Sequence, residues 1–269
     1  MKVKYGARIL EYKLFKTYSN ISGFTTTRMS GFGVRKYSSF NCSPFCGDNE
    51  EHVRQNQRLL RLELPQSLTQ LVIPRQVHGT KIALIDKTFL SLPQDQQQAE
   101  LDGVDALITT EPGYCICVST ADCVPLLIYD RKNQVVAAVH SGWRGTVDGI
   151  TTKTLEMMKE QFGTSGRDVS VIIGPNISLE SFEVGEEVYS AFEEKGFNMS
   201  AISIWKEEKQ KYHIDLTAAI TEQLRAFGVF KKNIEYARIC TFIRHEEFFS
   251  ARRLGINSGR MLSGIMLNQ

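Results

Sequence analysis

The sequence predicts a mixed α/β fold laid out as one compact unit over residues 1–269, with three or four layers of sheet and helix. Three observations lead there. Short apolar runs of strand length crowd the middle of the chain, four helix-length segments carry their own start and stop residues, and no repeat, low-complexity block or Pro/Gly/Ser linker divides the 269 residues. Two of the apolar runs meet across a polar turn as a hairpin, where a pure βαβ succession would insert a helix, so the sheets should be mixed.

The first helix is expected over 50–62, capped by Asp48-Asn49 and stopped before Pro65. Strands follow at 70–73 and 81–85. Pro93 and the polar run Gln94-Asp95-Gln96-Gln97-Gln98 make 91–100 an exposed loop or a lid. Further strands fall at 106–109, 114–119, 124–129 and 135–140. Val124-Pro125-Leu126-Leu127-Ile128 and Val135-Val136-Ala137-Ala138-Val139 are apolar at every position, the mark of a hairpin buried on both faces. Pairing outward from Asp130-Arg131-Lys132-Asn133 sets Val124 roughly opposite Val139 and brings Cys123 and His140 to the open end. A helix over 149–162 opens after Asp148 and ends at Gly163, and a strand occupies 169–173. Helices at 186–195 and 216–227 run from Gly185 to Gly196 and from Asp215 to Gly228, and a last strand is expected at 236–240.

A 42% hydrophobic and 23% charged composition suits a soluble globule with a sizeable core. Lys+Arg 32 against Asp+Glu 30 gives no broad basic field, so no nucleic-acid partner is expected. Arg244, Arg252, Arg253 and Arg260 form either a local basic cluster or a solvated face. The start of the chain lacks a signal-like apolar core, and no stretch approaches the roughly 18 apolar residues of a membrane span. A cytoplasmic enzyme without a membrane partner is therefore expected, and the six cysteines at 42, 46, 115, 117, 123 and 240 are read as thiols.

Only five histidines occur. His78, in Arg75-Gln76-Val77-His78-Gly79, and His140, in Val139-His140-Ser141-Gly142-Trp143-Arg144, each end an apolar stretch and meet a glycine within two residues. With Cys123 they make two imidazoles and a thiolate, the three-ligand set of a catalytic zinc with an open fourth position. Cys123 and His140 are thus expected in catalysis, with neighbouring Asp122 handling a proton or orienting an imidazole. Arg75 and Arg144 should be carried toward the same point and grip an anionic substrate. Ser141 to Asp148 reads as a loop feeding a helix N-terminus that could receive phosphate, or as a plain turn. Cys115 and Cys117 face one way as a thiolate pair or as small buried hydrophobes. His213 suits a surface or capping role, and His52 and His245 fall on exposed segments. A metal-free reading stays open, with Cys123 as nucleophile and His140 as its base. So does a metal-stabilised scaffold without activity.

At Arg75-Gln76-Val77-His78-Gly79, Asp102-Gly103-Val104-Asp105-Ala106-Leu107, Ser119-Thr120-Ala121-Asp122-Cys123, Ala138-Val139-His140-Ser141-Gly142-Trp143-Arg144-Gly145 and Ile173-Gly174-Pro175 the sequence resembles the YfiH/YlmD family, over nearly its whole length. That family was long labelled laccase-like or multicopper polyphenol oxidase and was later recognised as purine nucleoside phosphorylase. The resemblance implies an α/β/β/α layered domain with mixed sheets and a zinc site at His78, Cys123 and His140. It also implies phosphorolysis of adenosine, inosine, guanosine and methylthioadenosine, so purine nucleosides and phosphate as partners, with adenosine deamination as a second reaction. The pattern departs at Phe45, where the family has histidine, and at Leu254, where Arg-Arg-Asp is usual. Copper-dependent phenol oxidation is the alternative, but a blue-copper centre plus a trinuclear cluster would want about ten histidines. Copper in the three-ligand site remains the only form of that reading five histidines allow.

Overall fold

The computed structural model describes residues 6–269. In chain order it runs β1 (Ile9–Glu11), β2 (Ile21–Thr26), α1 (Glu50–Glu63), β3 (Gln70–Val72), β4 (Lys81–Ile85), α2 (Lys87–Leu90), α3 (Gln94–Glu100), β5 (Val104–Thr109), β6 (Tyr114–Thr120), β7 (Val124–Asp130) and β8 (Val135–Ser141). The second half runs α4 (Trp143–Val147), α5 (Ile150–Phe162), β9 (Val169–Ile173), β10 (Glu183–Val184), α6 (Glu186–Glu194), α7 (Met199–Ile202), β11 (Ser203–Lys206), β12 (Lys211–Ile214), α8 (Leu216–Ala226), β13 (Ile234–Tyr236), α9 (Ala251–Leu254) and β14 (Met261–Leu267).

A five-stranded sheet, β1-β2-β14-β6-β3, faces a six-stranded sheet, β13-β9-β7-β8-β5-β4, and a small three-stranded sheet, β10-β12-β11, stands apart. Side chains alternate across a strand, and the buried clusters show which face meets what. Along β8, Val135, Ala137 and Val139 pack with Leu155 of α5 and Ile220 of α8, while Val136 and Ala138 point the other way, toward Ile116 and Val118 of β6. The far face of the five-stranded sheet, through Cys115, Cys117 and Leu262, closes on Leu60 of α1. The layers are therefore α/β/β/α with mixed sheets. Parallel and antiparallel pairs coexist: β4 with β5 and β13 with β9 are parallel, β5 with β8 and β7 with β8 antiparallel.

Every residue of β7 and β8 is buried, as the unbroken apolar runs predict. Their register differs from the sequence expectation. Leu126, not Val124, lies opposite Val139, and Pro125 faces His140. β7 runs one residue further into the turn than expected, to Asp130, which pairs with Val135 and whose carboxylate accepts from the amides of Lys132 and Asn133 and so closes the turn itself. The 91–100 loop is instead largely helical over Gln94–Glu100, with Gln97 bonded back to the carbonyl of Leu92. The expected strand over 236–240 ends at Tyr236, because Arg238 turns to φ 53°, and only an isolated bridge between Asn176 and Cys240 continues it.

Strands β1, β2 and β14 and the three-stranded sheet were not signalled in the sequence. β14 carries Gly264 at its centre and β2 carries Gly23, both of which weaken a strand pattern. Gly264 is there for space: a Cβ on it would lie 2.7 Å from Cys117 Sγ and 2.8 Å from the Phe24 ring. Gly264→Ala is accordingly expected to cost about 1–3 kcal/mol through overpacking, read as a lowered thermal midpoint. Cys115 and Cys117 are buried with sulfurs 3.6 Å apart, in keeping with their role as small hydrophobes.

Candidate metal centre

β7 and β8 run side by side until Val124 pairs with Ser141, so Cys123 and Gly142 emerge together at the end of the six-stranded sheet. His140 sits two residues earlier than Gly142 on β8 and is 3% exposed. β5 pairs with β8 on its other side, Ala106 opposite Val139, so the next residue back, Asp105, reaches His140. Its Oδ1 accepts from His140 Nδ1 at 2.7 Å. A carboxylate can only accept there, so Nδ1 carries the proton and Nε2 is left to face the cleft.

The same carboxylate builds the turn that presents His78. It accepts three consecutive backbone N–H bonds, from Val77 (3.2 Å), His78 (3.0 Å) and Gly79 (2.7 Å). These hold His78 in the left-handed region at φ 64°, a conformation that costs a side-chain-bearing residue about 1–2 kcal/mol. Gln76 fixes the turn from the other side, pairing both ends of its amide with the backbone of Ser119. The outcome is that the ligand-type atoms of His78, Cys123 and His140 lie within 4.8 Å of one another, the two imidazoles meeting edge to face at 4.8 Å.

Gly142 makes this approach possible. A Cβ there would lie 2.9 Å from the His78 ring and 3.2 Å from Cys123 Sγ. Gly142→Ala is expected to push His78 outward and lower metal stoichiometry while leaving the far-UV circular dichroism spectrum unchanged. Metal analysis alongside that spectrum checks it.

Burial by itself would push the Cys123 thiol up, but the His140 and His78 imidazoles more than reverse this and bring it down to about 6. Burial likewise would lower His140, yet the Cys123 thiolate and the Asp105 carboxylate raise it from 6.5 to about 9. The metal-free centre is thus a thiolate beside an imidazolium. The raised His140 contributes stability that is complete below 6.5 and lost as pH rises through about 9; the depressed Cys123 contributes stability lost as pH falls through about 6. The metal-free protein is expected to be most stable between these limits. Because a ligating imidazole must be neutral, metal binding at neutral pH should release a proton and tighten as pH rises toward 9. Calorimetric titration in buffers of different ionisation enthalpy reads that proton.

The triad opens into a cleft of about 630 Å³. Arg144 lines it, its guanidinium 4.2 Å above the Trp143 ring. Arg75, expected beside Arg144, is not among the lining residues: the backbones of Arg75 and Asp102 form a bridge, and their side chains pair on the surface, each 53% exposed. Arg252 and Arg260 also reach the cleft. Their side chains are engaged with carbonyl oxygens, Arg252 with Glu183 and Arg260 with Ser258 and Ile256. Asp122 lines the cleft too, with one oxygen taken by Thr241 Oγ1 at 2.6 Å and the other by the Arg252 amide at 2.7 Å. It ties down the loop that carries Arg252, and the carboxylate that orients an imidazole is Asp105, which spacing did not single out. The stretch 141–148 is neither plain loop nor plain turn but the short helix α4. Phe45, 51% exposed, and Ile256, 70% exposed, give the cleft an apolar mouth. His213, expected at the surface, is buried in β12 with Nδ1 on the Leu179 carbonyl.

A family model described as multi-copper polyphenol oxidoreductase laccase matches residues 22–268. The chain belongs to this family, the YfiH family. Among its members, a protein from Bacteroides thetaiotaomicron named purine nucleoside phosphorylase is 57% identical over 262 residues, 97% of each chain. Another, named adenosine deaminase RL5, from an unknown prokaryotic organism, is 42% identical over 250 residues, 93% of this chain and 95% of that one. The crystal structure of YlmD from Geobacillus stearothermophilus superposes with a TM-score of 0.87 at 29% identity, covering 99% of this chain and 98% of that one. Bacillus licheniformis YfiH gives 0.88 at 25% identity, with 98% of each chain covered. The family thus includes one relative named for phosphorolysis of purine nucleosides and another named for deamination of adenosine.

Proposed function

We propose that this chain is a zinc-dependent purine nucleoside phosphorylase of the YfiH family, acting on adenosine, inosine, guanosine and methylthioadenosine, with adenosine deamination as a side activity, in a single catalytic domain. The observation that carries the reading is the convergence of one thiolate and two imidazoles at the floor of a cleft that also holds Arg144. That donor set suits zinc, with Nε2 of His140 aimed by Asp105 and a fourth position open to the cleft. When bound, zinc would supply Lewis acidity to an oxygen of phosphate or water.

The rest of the work falls to the chain. Arg144 is the cleft arginine whose guanidinium is not spent on protein carbonyls, so it receives the phosphate charge. Phe45 and Ile256 give an apolar surface for the flat purine and shield the reacting atoms from water. Asp122 keeps the Arg252 loop in place. Zinc-loaded protein given adenosine and phosphate is expected to form adenine and ribose 1-phosphate, and inosine more slowly without phosphate; formation of neither overturns the reading. Arg144→Ala should raise KM for phosphate by about tenfold to a hundredfold, the loss expected for a charge-assisted hydrogen bond, with KM for adenosine little changed.

The thiolate–imidazolium pair of Cys123 and His140 favours one other reading, a metal-free Cys–His hydrolase. Under it, chelator-treated protein keeps full activity and iodoacetamide abolishes it. Copper-dependent phenol oxidation finds one three-residue donor group among the described residues, too few for a trinuclear cluster beside a blue-copper centre.

A further inference from the structure

A second cavity, of about 520 Å³, backs onto the catalytic cleft. Neighbouring residues of the segment between them face opposite ways: Ile177 lines the cleft, whereas Asn176 and Ser178 line the second cavity. Cys240 also lines the second cavity, while the hydroxyl of the adjacent Thr241 bonds Asp122 in the cleft. No residue of the proposed reaction faces this cavity.

Two carboxylates and two cations line this cavity. Glu180 pairs with Lys206, whereas Asp215, which caps α8 through the Ala218 amide at 2.9 Å, keeps its charge, so with that ion pair set aside the wall carries an excess of one positive charge. Among the described residues, the side chains of Lys231 and Arg238 make no hydrogen bond or ion pair. The Ser178 hydroxyl oxygen is buried with the Cys240 sulfur as its neighbour and no oxygen or nitrogen partner, a group that costs free energy unless something better accepts from it or donates to it. Ile173, Ile239 and the ring of Tyr236 complete an apolar wall.

We propose that this cavity is a second ligand site, taking a phosphate monoester that carries a flat apolar group, the chemistry of a nucleoside monophosphate. Arg238 and Lys231 hold the phosphate, for which a guanidinium fork is suited. The Ser178 hydroxyl gains its missing oxygen partner, and the flat group lies along Ile173, Ile239 and Tyr236. The volume falls within the range of small-molecule sites.

Cys240 is a native reporter, being half-buried and on the cavity wall. The rate of its alkylation by iodoacetamide is followed by peptide mass spectrometry on the full chain, with adenosine 5′-monophosphate as the probe and inorganic phosphate in a parallel series. The nucleotide is expected to slow Cys240 alkylation saturably, and Arg238→Ala to raise the concentration needed by about tenfold or more. Lys231→Ala serves as the second variant should Arg238→Ala fold poorly. Arg144→Ala, which alters only the cleft, should leave the protection unchanged. Absence of protection, protection lost in Arg144→Ala, or protection unaltered by either cation variant overturns the site. Equal protection by inorganic phosphate alone overturns the assignment of a flat apolar group.

Discussion

Cys123→Ala is expected to abolish turnover of nucleosides, by about a thousandfold or more, and to reduce bound zinc to a trace. The size follows from the chemistry the metal is asked to supply: Lewis-acid stabilisation is worth several kcal/mol, and each 1.36 kcal/mol is a factor of about ten in rate. The fold should survive. Cys123 lies at the mouth of the β7–β8 hairpin rather than in the apolar clusters on either side of it; without its thiolate the buried His140 loses one partner and reverts toward the neutral imidazole, its Nδ1 still held by Asp105, so the metal-free variant loses some stability but not the fold. Metal stoichiometry, the thermal midpoint of the metal-free protein and kcat/KM for adenosine with phosphate test the three statements together. A variant that keeps stoichiometric zinc and activity would remove Cys123 from the metal set. One that loses activity while the parent protein itself binds no metal would favour the Cys–His hydrolase.

Asp105→Ala is expected to harm both stability and metal affinity, because a single fully buried carboxylate carries four hydrogen bonds. Burial pushes the Asp105 carboxyl up, but His140 and the amides of Gly79 and Val77 outweigh that and hold it below the ordinary aspartate range. Removing it leaves the His140 ring N–H and three backbone N–H groups without their acceptor, and the His78 turn without what offsets its left-handed backbone. A cost of about 2–4 kcal/mol follows from unpaired buried donors. Asp105→Asn preserves the shape and should cost less stability, yet it offers one accepting oxygen in place of two. Both variants should bind zinc about 10–100-fold more weakly, the usual penalty for removing the partner of a ligating histidine. Competition with a chromophoric chelator measures this independently of activity, and wild-type affinity in both variants would reduce Asp105 to a structural residue.

The sequence was most informative where one local property decided the outcome. The caps at Asn49 and Asp215 and the closing glycine at 163 set helix ends to within a residue or two. Continuous apolar runs marked β7 and β8 because strands at the centre of a covered sheet need apolar side chains on both faces. The outer strands were hidden for the converse reason. β2 and β14 carry glycine, serine and threonine where neighbouring elements approach closely, and β10, β11 and β12 are too short for a pattern to rise above their surroundings. Arg238 offered no signal that it would take a left-handed backbone and end a strand.

In the candidate site the available atoms can be read from the residues alone: two of five histidines and one cysteine, each at the edge of an apolar segment beside a turn. The same five histidines fall short of a multicopper cluster. How those atoms meet and what stands behind them depend on the fold. Strand pairing places Asp105 beside His140 although 35 residues separate them, and pairing between strands is set by contacts that a single segment does not contain. The same holds for the arginines. Arg75 and Arg144 are alike in sequence terms, each a few residues from a ligand, but Asp102 captures one at the surface and Trp143 leaves the other over the cleft. Sequence fixes the donors because ligand chemistry is a property of side chains, and the fold assigns their roles because orientation, burial and charge are properties of neighbours.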